Sequence, residues 1–171
     1  MPRRALDKLK ERQELAEIVR QRRERGERCV FTNGCFDILH IGHVRYLQEA
    51  RELGDFLVVA INSDASVRQL KGAPRPFVAQ DERAEMLGAL ESVDYVTIYD
   101  ELTAEEVIRL LRPEIYVKGG DYKPDAIVET PVVRSYGGQV VTVTFVQERS
   151  TTRLVERVMQ ALTGQEESHR E

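Results

Sequence analysis

The sequence predicts an α/β protein in which a five-stranded parallel sheet is covered by helices on both faces. Short apolar segments alternate with longer segments of helical periodicity along the chain. The segment FLVVAI at 56–61 contains no polar residue, which is typical of a strand that is buried on both faces. Because glycine, proline and polar residues separate these segments, we expect a Rossmann-like, doubly wound sheet.

The first half of the chain is divided by turn residues into well-separated elements. An apolar stripe in the first segment ends before Gly26, a residue suited to cap a helix, and Gly54 ends the second helical pattern. The predicted elements are, in order, helix 5–25, strand 29–32, helix 43–53, strand 56–61, helix 66–70 and loop 71–80.

The second half continues the same alternation. Thr103 precedes Glu105 and Glu106, a pattern typical of a helix start, and Gly137 and Gly138 precede an apolar strand. The predicted elements are, in order, helix 81–90, strand 95–99, helix 103–111, strand 115–117, helix 125–136, strand 140–145 and helix 151–162. We therefore expect an N-terminal helix over 1–27, one domain over 28–163 and a flexible polar tail over 164–171.

Composition excludes several classes of function. The chain has 171 residues and a net charge of −4, whereas a general nucleic-acid binder is normally basic. No apolar run approaches the ~20 residues of a membrane helix, and the charged N-terminus has no apolar signal core. Cys29 and Cys35 lack the spacing of a zinc site. We expect a cytoplasmic protein with reduced thiols.

Polar segments that follow the predicted strands are the candidates for chemistry, because such sheets bind ligands at the carboxyl ends of their strands. These segments are TNGCFDILHIGH, NSD, KGAPRP and KGGDY. His40 and His43 lie at the start of the helix after the first strand, where free N–H groups attract phosphate. Side chains three apart share a helix face, so both rings can meet one anion, and Gly42 permits close approach.

This histidine pair has other interpretations. Both residues could be ordinary members of a first helical turn, or they could bind a metal. A metal is disfavoured because the pair has no clear third ligand in the sequence. Imidazole donates hydrogen bonds and can become cationic, as a phosphoryl-type transition state requires, so the sequence favours phosphate chemistry.

The motifs resemble a known family. GCFDILHIGH is similar to the HxGH signature of the nucleotidyltransferase superfamily that includes the cytidylyltransferases. NSDASVRQLKG, RPFVAQDERAEMLGALESVDYV and VKGGDYKP together resemble the heptose-1-phosphate adenylyltransferases, including the second domain of the bifunctional heptose kinase/adenylyltransferases. The likeness covers residues 26–158 and implies a five-stranded sheet of the HxGH nucleotidyltransferase type.

The resemblance implies a reaction and its participants. AMP would pass from ATP to D-glycero-D-manno-heptose 1-phosphate, giving ADP-heptose and pyrophosphate for heptose-containing surface glycans such as lipopolysaccharide. Mg²⁺ would be held mostly by substrate and water, so no metal ligand is named. The expected partners are these small molecules and further copies of the chain, without nucleic acid or membrane.

The resemblance also implies roles for individual residues. His40 and His43 would contact the nucleotide phosphates, and Lys71 would close on the triphosphate from loop 71–80. The residues expected to bind the nucleotide are Thr32, Asn33, Gly34, Cys35, Phe36, Gly42, Lys118, Gly119, Asp121, Ser150, Thr151 and Thr152. The residues expected to bind the second substrate are Asp37, Asn62, Asp64 and Arg83.

Several of these roles have structural alternatives. Asp37 is equally suited to fixing its own loop, and Asp64 to capping the next helix. The segment from Lys118 to Asp121 could seat a nucleotide or a sugar, or form a simple turn. The hydroxyls of residues 150–152 could bind an anion or cap the last helix.

One departure from the cytidylyltransferases concerns the nucleotide. Their Arg-Thr-x-Gly-Ile run before Ser-Thr-Thr is replaced by Phe-Val-Gln-Glu-Arg at 145–149, which disfavours CTP unless Arg149 compensates. The alternatives are an enzyme similar to glycerol-3-phosphate cytidylyltransferase, an FAD-synthase-like enzyme and a nucleotide-binding module without turnover.

Overall fold

The structure, a computed structural model, describes residues 4–120, 123–143 and 151–167. Its strands are β1 (Cys29–Gly34), β2 (Phe56–Asn62), β3 (Tyr95–Tyr99), β4 (Ile115–Gly119) and β5 (Gln139–Val143). Its α-helices are α1 (Arg12–Glu24), α2 (Ile41–Glu52), α3 (Asp64–Lys71), α4 (Gln80–Ala89), α5 (Glu105–Leu111), α6 (Thr130–Ser135) and α7 (Thr151–Glu167). Short 3₁₀ turns occupy Ala5–Lys8 and Pro124–Ala126.

The strands form one parallel sheet in the order β3-β2-β1-β4-β5. All seven residues of β2 are buried, which explains its uninterrupted apolar sequence. Helices α1, α5 and α6 pack on one face of the sheet, and α2 and α4 pack on the other. The predicted doubly wound fold is therefore confirmed. The strand order reverses between β1 and β4, where such sheets form a ligand crevice.

The predicted single helix over residues 5–25 is wrong. Leu9 forms a parallel bridge to Val96, and the Lys10 N–H donates to the Val96 carbonyl at 2.9 Å. This extended segment separates the 3₁₀ turn from α1 and covers the outer edge of β3. The available hydrogen bonds of an edge strand thus outweigh the local helical pattern.

Other helix boundaries also differ from the prediction, and three of them show why. Helix 125–136 is divided because Pro131 has no N–H to continue a helix from the 3₁₀ turn into α6. Helix α5 begins at Glu105 rather than at Thr103, and the Ala104 N–H donates to the Glu129 carboxylate instead of a local cap. Helix α7 continues to Glu167, so the first residues of the expected polar tail are helical.

Gly88 provides a test of how the N-terminal segment docks. A Cβ atom at Gly88 would lie 2.6 Å from the Ala5 carbonyl oxygen. We expect Gly88→Ala to destabilise the fold by about 1–2 kcal/mol, because the clash outweighs the roughly 1 kcal/mol gain in helix propensity. Urea unfolding measures this change. Glu85→Ala, at an exposed position of α4, is the control, and a net stabilisation by Gly88→Ala would contradict the contact.

Candidate active site at the carboxyl edge of the sheet

A cavity of about 180 Å³ opens at the carboxyl ends of β1 and β4, beside the reversal in strand order. We call it the carboxyl-edge cavity. Its lining residues are Asn33, Gly34, Cys35, Phe36, His43, Tyr46, Lys118 and Gly119. The structure therefore brings together seven residues expected from the sequence, which lie far apart in the chain, within 33–43 and at 118–119. Tyr46 was not expected there.

The two histidines lie at the N-terminus of α2. His40 is the N-cap residue and makes no side-chain capping bond, while His43 lies in the first turn. Their rings stack with centroids 3.9 Å apart, and the His43 ring lies 5.1 Å from that of Phe36. Gly42, between them, is buried. The predicted shared face is thus present, at a helix end that attracts anions.

The His43 imidazole favours its neutral form. Burial lowers its pKa to about 4, and the neighbouring His40 adds to this effect. The cause is the cost of placing a cation in a partly dry site beside a second imidazole. At neutral pH, His43 can donate one hydrogen bond to a phosphate oxygen without carrying a charge.

The loop after β1 holds an uncommon backbone conformation. Phe36 has a φ of +47°, and its ring is only 6% exposed. A Cβ atom on Gly34 would lie 3.1 Å from that ring, so a larger residue would press on it. A non-glycine residue in this region costs free energy and is often found at functional sites. Here it directs the chain from β1 toward the histidines.

Asn33 is the centre of a polar network on the other side of the cavity. Its Oδ1 accepts from Tyr116 OH at 2.7 Å and from Lys118 Nζ at 3.2 Å. Its Nδ2 donates to Tyr99 OH at 2.9 Å, and Tyr99 OH donates to Asn62 Oδ1 at 3.0 Å. Because both ends of the Asn33 amide are fixed, Lys118 is held at the cavity wall.

The charge of Lys118 is set by two opposing effects. Burial lowers the pKa of its ammonium, and the carboxylate of Glu129 opposes this shift. Glu129 is itself only 5% exposed and also receives the Ala104 N–H at 3.3 Å. A buried carboxylate near a half-buried ammonium keeps the net charge of the pair close to zero. Sequence reasoning missed Glu129, which lies in the divided helix.

Asp37 fixes a loop in this structure. Its carboxylate accepts from the Phe77 N–H at 2.7 Å and the Val78 N–H at 3.1 Å, and it pairs with Arg75. Its side chain is 1% exposed. Of the two predicted roles, the geometry supports loop fixing, and Arg75 is a partner that the sequence did not reveal.

Arg83 also bonds to the protein and is not among the residues that line the carboxyl-edge cavity. Its guanidinium donates to the carbonyls of Cys35, Asn62 and Val78 at 2.6–2.9 Å and to Asp64 at 2.7 Å. The side chain is fully buried. These bonds direct it toward the protein instead of the cavity, so we assign it a positioning role in place of the expected substrate contact.

Other expected contacts are also taken up by the protein. The Asn62 Nδ2 donates to Ser66 Oγ at 2.9 Å, and Ser63, rather than Asp64, caps α3. The Thr32 hydroxyl is fully buried and bonded to Tyr46 OH, which donates to the Val117 carbonyl. Thr32 therefore supports β1 and α2 and does not reach the cavity.

The remaining site residues expected from the sequence are Lys71, Asp121 and residues 150–152. Lys71 is the last residue of α3, not a loop residue, and it is exposed. Burial raises the pKa of the Cys35 thiol, and the positive charge of Lys71 opposes this shift, so Lys71 lies near the carboxyl-edge cavity. Asp121 and Ser150 lie outside the described residues, as do the side chains of Thr151 and Thr152 at the start of α7.

A family model described as cytidylyltransferase-like matches residues 31–161. The chain belongs to this family. It is 56% identical over 151 residues to the bifunctional protein HldE of Geotalea uraniireducens, covering 88% of this chain and 31% of that protein. It is 50% identical over 159 residues to HldE of Trichlorobacter lovleyi, covering 93% and 32%. The chain thus spans about a third of the length of these relatives.

The solved structure of a similar protein supports the fold. The lipopolysaccharide core biosynthesis protein of Thermoplasma volcanium superposes with a TM-score of 0.59 and 28% identity. The match covers 72% of this chain and all of that one. The expected HxGH nucleotidyltransferase fold is therefore confirmed by both comparisons.

Two further features concern metal and membrane. Within residues 4–120, 123–143 and 151–167, no three His, Cys, Asp or Glu side chains are grouped to hold a metal ion. No helix of this part of the chain is long and apolar enough to cross a membrane.

The tyrosines of the site could have been located from the sequence. Tyr46 follows His43 by three residues and so shares its helix face. Tyr99 is the last residue of a predicted strand. Tyr116 lies two residues before Lys118 on β4, so the side chains of Tyr116 and Lys118 face the same side of the sheet. Strand and helix periodicity was therefore sufficient to place them near the candidate segments.

The pKa of His43 predicts a pH-dependent stability. Between about pH 6.5 and pH 4, the unfolded chain binds a proton at this residue that the folded chain does not bind. The free energy of unfolding should therefore fall as the pH falls through this range, by up to roughly 3 kcal/mol. Chemical unfolding at several pH values should show that His43→Asn removes this part of the pH dependence. An unchanged dependence would contradict a partly buried, neutral His43.

The bonds of Arg83 predict a structural defect on its removal. Arg83→Met leaves three carbonyls and Asp64 without their donor and should lower the free energy of unfolding by about 3–5 kcal/mol. Arg68→Met, at an exposed position of α3, is the control and should change it by less than about 0.5 kcal/mol. A stable Arg83→Met variant that only loses substrate affinity would instead support the substrate contact.

Proposed function

We propose that the chain is an adenylyltransferase that transfers AMP from ATP to D-glycero-D-manno-heptose 1-phosphate. The observation that carries this proposal is the stacked pair of His40 and His43 at the N-terminus of α2, beside the carboxyl-edge cavity. Family membership supports nucleotidyl transfer, and the HldE relatives support the heptose branch. The Thermoplasma protein is named for lipopolysaccharide core biosynthesis, which agrees with ADP-heptose as the product.

The proposed reaction needs no nucleophile from the protein. An oxygen of the sugar phosphate attacks the α-phosphorus of ATP, the bond to the bridging oxygen breaks, and pyrophosphate leaves with that electron pair. The protein contributes alignment and stabilisation of charge. His40 and His43 donate to phosphate oxygens, Lys118 supplies positive charge at the cavity wall, and Lys71 supplies it from the end of α3.

The remaining expected contacts belong to this proposal. Gly34, Gly119 and the N–H groups of Cys35 and Phe36 permit close approach of phosphate to backbone. Asp121 and the hydroxyls of Ser150, Thr151 and Thr152 complete the nucleotide site. The described side chains do not form a site for Mg²⁺ by themselves, so the ion would be held by ATP and water, neutralising the phosphates.

We further propose a cytoplasmic homo-oligomer. The apolar side chains of Val158, Met159 and Leu162 on α7 are each more than half exposed, which supports association of copies. Small-molecule phosphates are the proposed partners of the site, without nucleic acid or membrane.

An assay of pyrophosphate release tests the proposed activity. Wild-type protein with Mg²⁺ should release pyrophosphate with ATP and the heptose 1-phosphate, and not with CTP and glycerol 3-phosphate. His43→Ala should reduce kcat by about 10²–10³, because it removes one donor to the transition state. Gln48→Ala, exposed on α2, should leave the rate unchanged.

The other outcomes separate the alternatives. Release with CTP and glycerol 3-phosphate would indicate the cytidylyltransferase-like enzyme, and release with a flavin phosphate the FAD-synthase-like one. Tight ATP binding without release from any pair would indicate a nucleotide-binding module, since such a module needs no transition-state stabilisation.

A further inference from the structure

A second and larger cavity lies at the opposite edge of the sheet, where the strands begin. Its volume is about 480 Å³, compared with about 180 Å³ for the carboxyl-edge cavity. We call it the amino-edge cavity. It is lined by Arg23, Arg28, Arg112, Glu114, Tyr136, Gly137, Gly138 and Gln139. These residues come from the end of α1, from the segments before β1 and β4, and from the α6–β5 connection.

The amino-edge cavity cannot be part of the proposed transfer reaction. Arg28 and Glu114 directly precede the first residues of β1 and β4, and the histidines follow the end of β1. The six residues of β1 separate the two edges by about 20 Å, at roughly 3.3 Å per residue. A ligand in this cavity would therefore bind independently of the carboxyl-edge cavity, whether or not the proposed reaction takes place there.

The charge of the cavity is opposite to that of the whole chain. Three arginines and one glutamate line it, although the chain has a net charge of −4. Glu114 is already committed, since its Oε1 pairs with Arg23 and its Oε2 accepts the Cys29 N–H at 2.8 Å. Arg23 also donates to the carbonyls of Leu111 and Arg112. This pair thus forms part of the wall.

The other two arginines remain available to a ligand. Among the described residues, the guanidinium groups of Arg28 and Arg112 have no ion pair and no side-chain hydrogen bond. The Arg112 guanidinium lies 5.3 Å from the centroid of the Tyr136 ring, which limits its directions. Arg112 also holds a φ of +48°, a left-handed conformation that glycine adopts more easily. An arginine is therefore present where the backbone alone would favour glycine.

The size and charge of the cavity indicate the class of ligand. Each guanidinium group can donate two parallel hydrogen bonds. Two such groups suit the several oxygens of a phosphate better than the two oxygens of a single carboxylate. The volume lies within the range of small-molecule sites and exceeds what a bare phosphate fills. We propose that the amino-edge cavity binds a small organic phosphomonoester through Arg28 and Arg112, at a site separate from the one that carries out the reaction.

A ligand titration monitored by the backbone amide signals in NMR tests this proposal, because it reports binding at the amino-edge cavity itself. Glucose 6-phosphate is the probe, added to the ¹⁵N-labelled 171-residue chain at physiological ionic strength. We expect saturable shifts of the Gly137, Gly138 and Gln139 amides, which line the cavity. Arg112→Gln should weaken this binding about tenfold or more, because it removes charge-assisted hydrogen bonds to the phosphate. His43→Ala should leave the amino-edge shifts unchanged.

A matched variant separates a built site from general surface charge. Arg109→Gln removes the same charge from α5, but Arg109 pairs with Glu105 and Glu106 and does not line the cavity. It should bind the probe as the wild type does. Equal weakening in both arginine variants, or no saturable shift of these amides, would overturn the proposal. A response to a hexaglutamate peptide but not to glucose 6-phosphate would also overturn it and indicate an acidic polypeptide partner.

Discussion

The buried guanidinium of Arg83 is the interaction on which the geometry of the candidate active site depends. A charge with no solvent contact is tolerated only if it is paired and hydrogen-bonded, and Arg83 meets this condition with acceptors from separate segments. Cys35 belongs to the loop after β1, Asn62 ends β2, and Val78 precedes α4. Each segment must stay in place for the others to be satisfied. Asp37 adds a second connection, from the histidine loop to residues 75–78.

Both faces of the sheet contribute residues to the carboxyl-edge cavity. The histidines and Tyr46 belong to α2, on one face, whereas the side chains of Asn33 and Lys118 point to the other. They meet only at the carboxyl edge, where the backbone of Gly34 and Gly119 leaves the space between them open. A ligand there would meet the neutral imidazole of His43 on one side and the half-buried ammonium of Lys118 on the other. The parallel sheet supplies this arrangement because all its carboxyl ends lie together.

Sequence reasoning succeeded where a local pattern was sufficient. Strand periodicity located β2 and β3 within one residue, and the His40–His43 spacing indicated where the candidate site lies. It failed where the deciding partner is distant in the chain. The break after Lys8 depends on Val96, and the inward direction of Arg83 depends on Cys35 and Asn62. Such bonds leave no trace in residue spacing, so a helix N-terminal arginine looks the same whether it binds substrate or the protein.

The stacked histidines also limit how the site can stabilise charge. Two imidazolium ions with ring centroids 3.9 Å apart would repel strongly in a partly dry environment, so the pair cannot easily carry two charges. Burial, with a smaller contribution from the neighbouring His40, lowers the pKa of His43 to about 4. In the proposed reaction, positive charge for the polyphosphate would then come from Mg²⁺ and lysine rather than from the histidines. Glu129 favours the charged form of Lys118, whereas burial lowers the pKa of its ammonium. In the proposed reaction, the histidines would orient phosphate oxygens by directional hydrogen bonds, which a neutral imidazole can donate without repelling its neighbour.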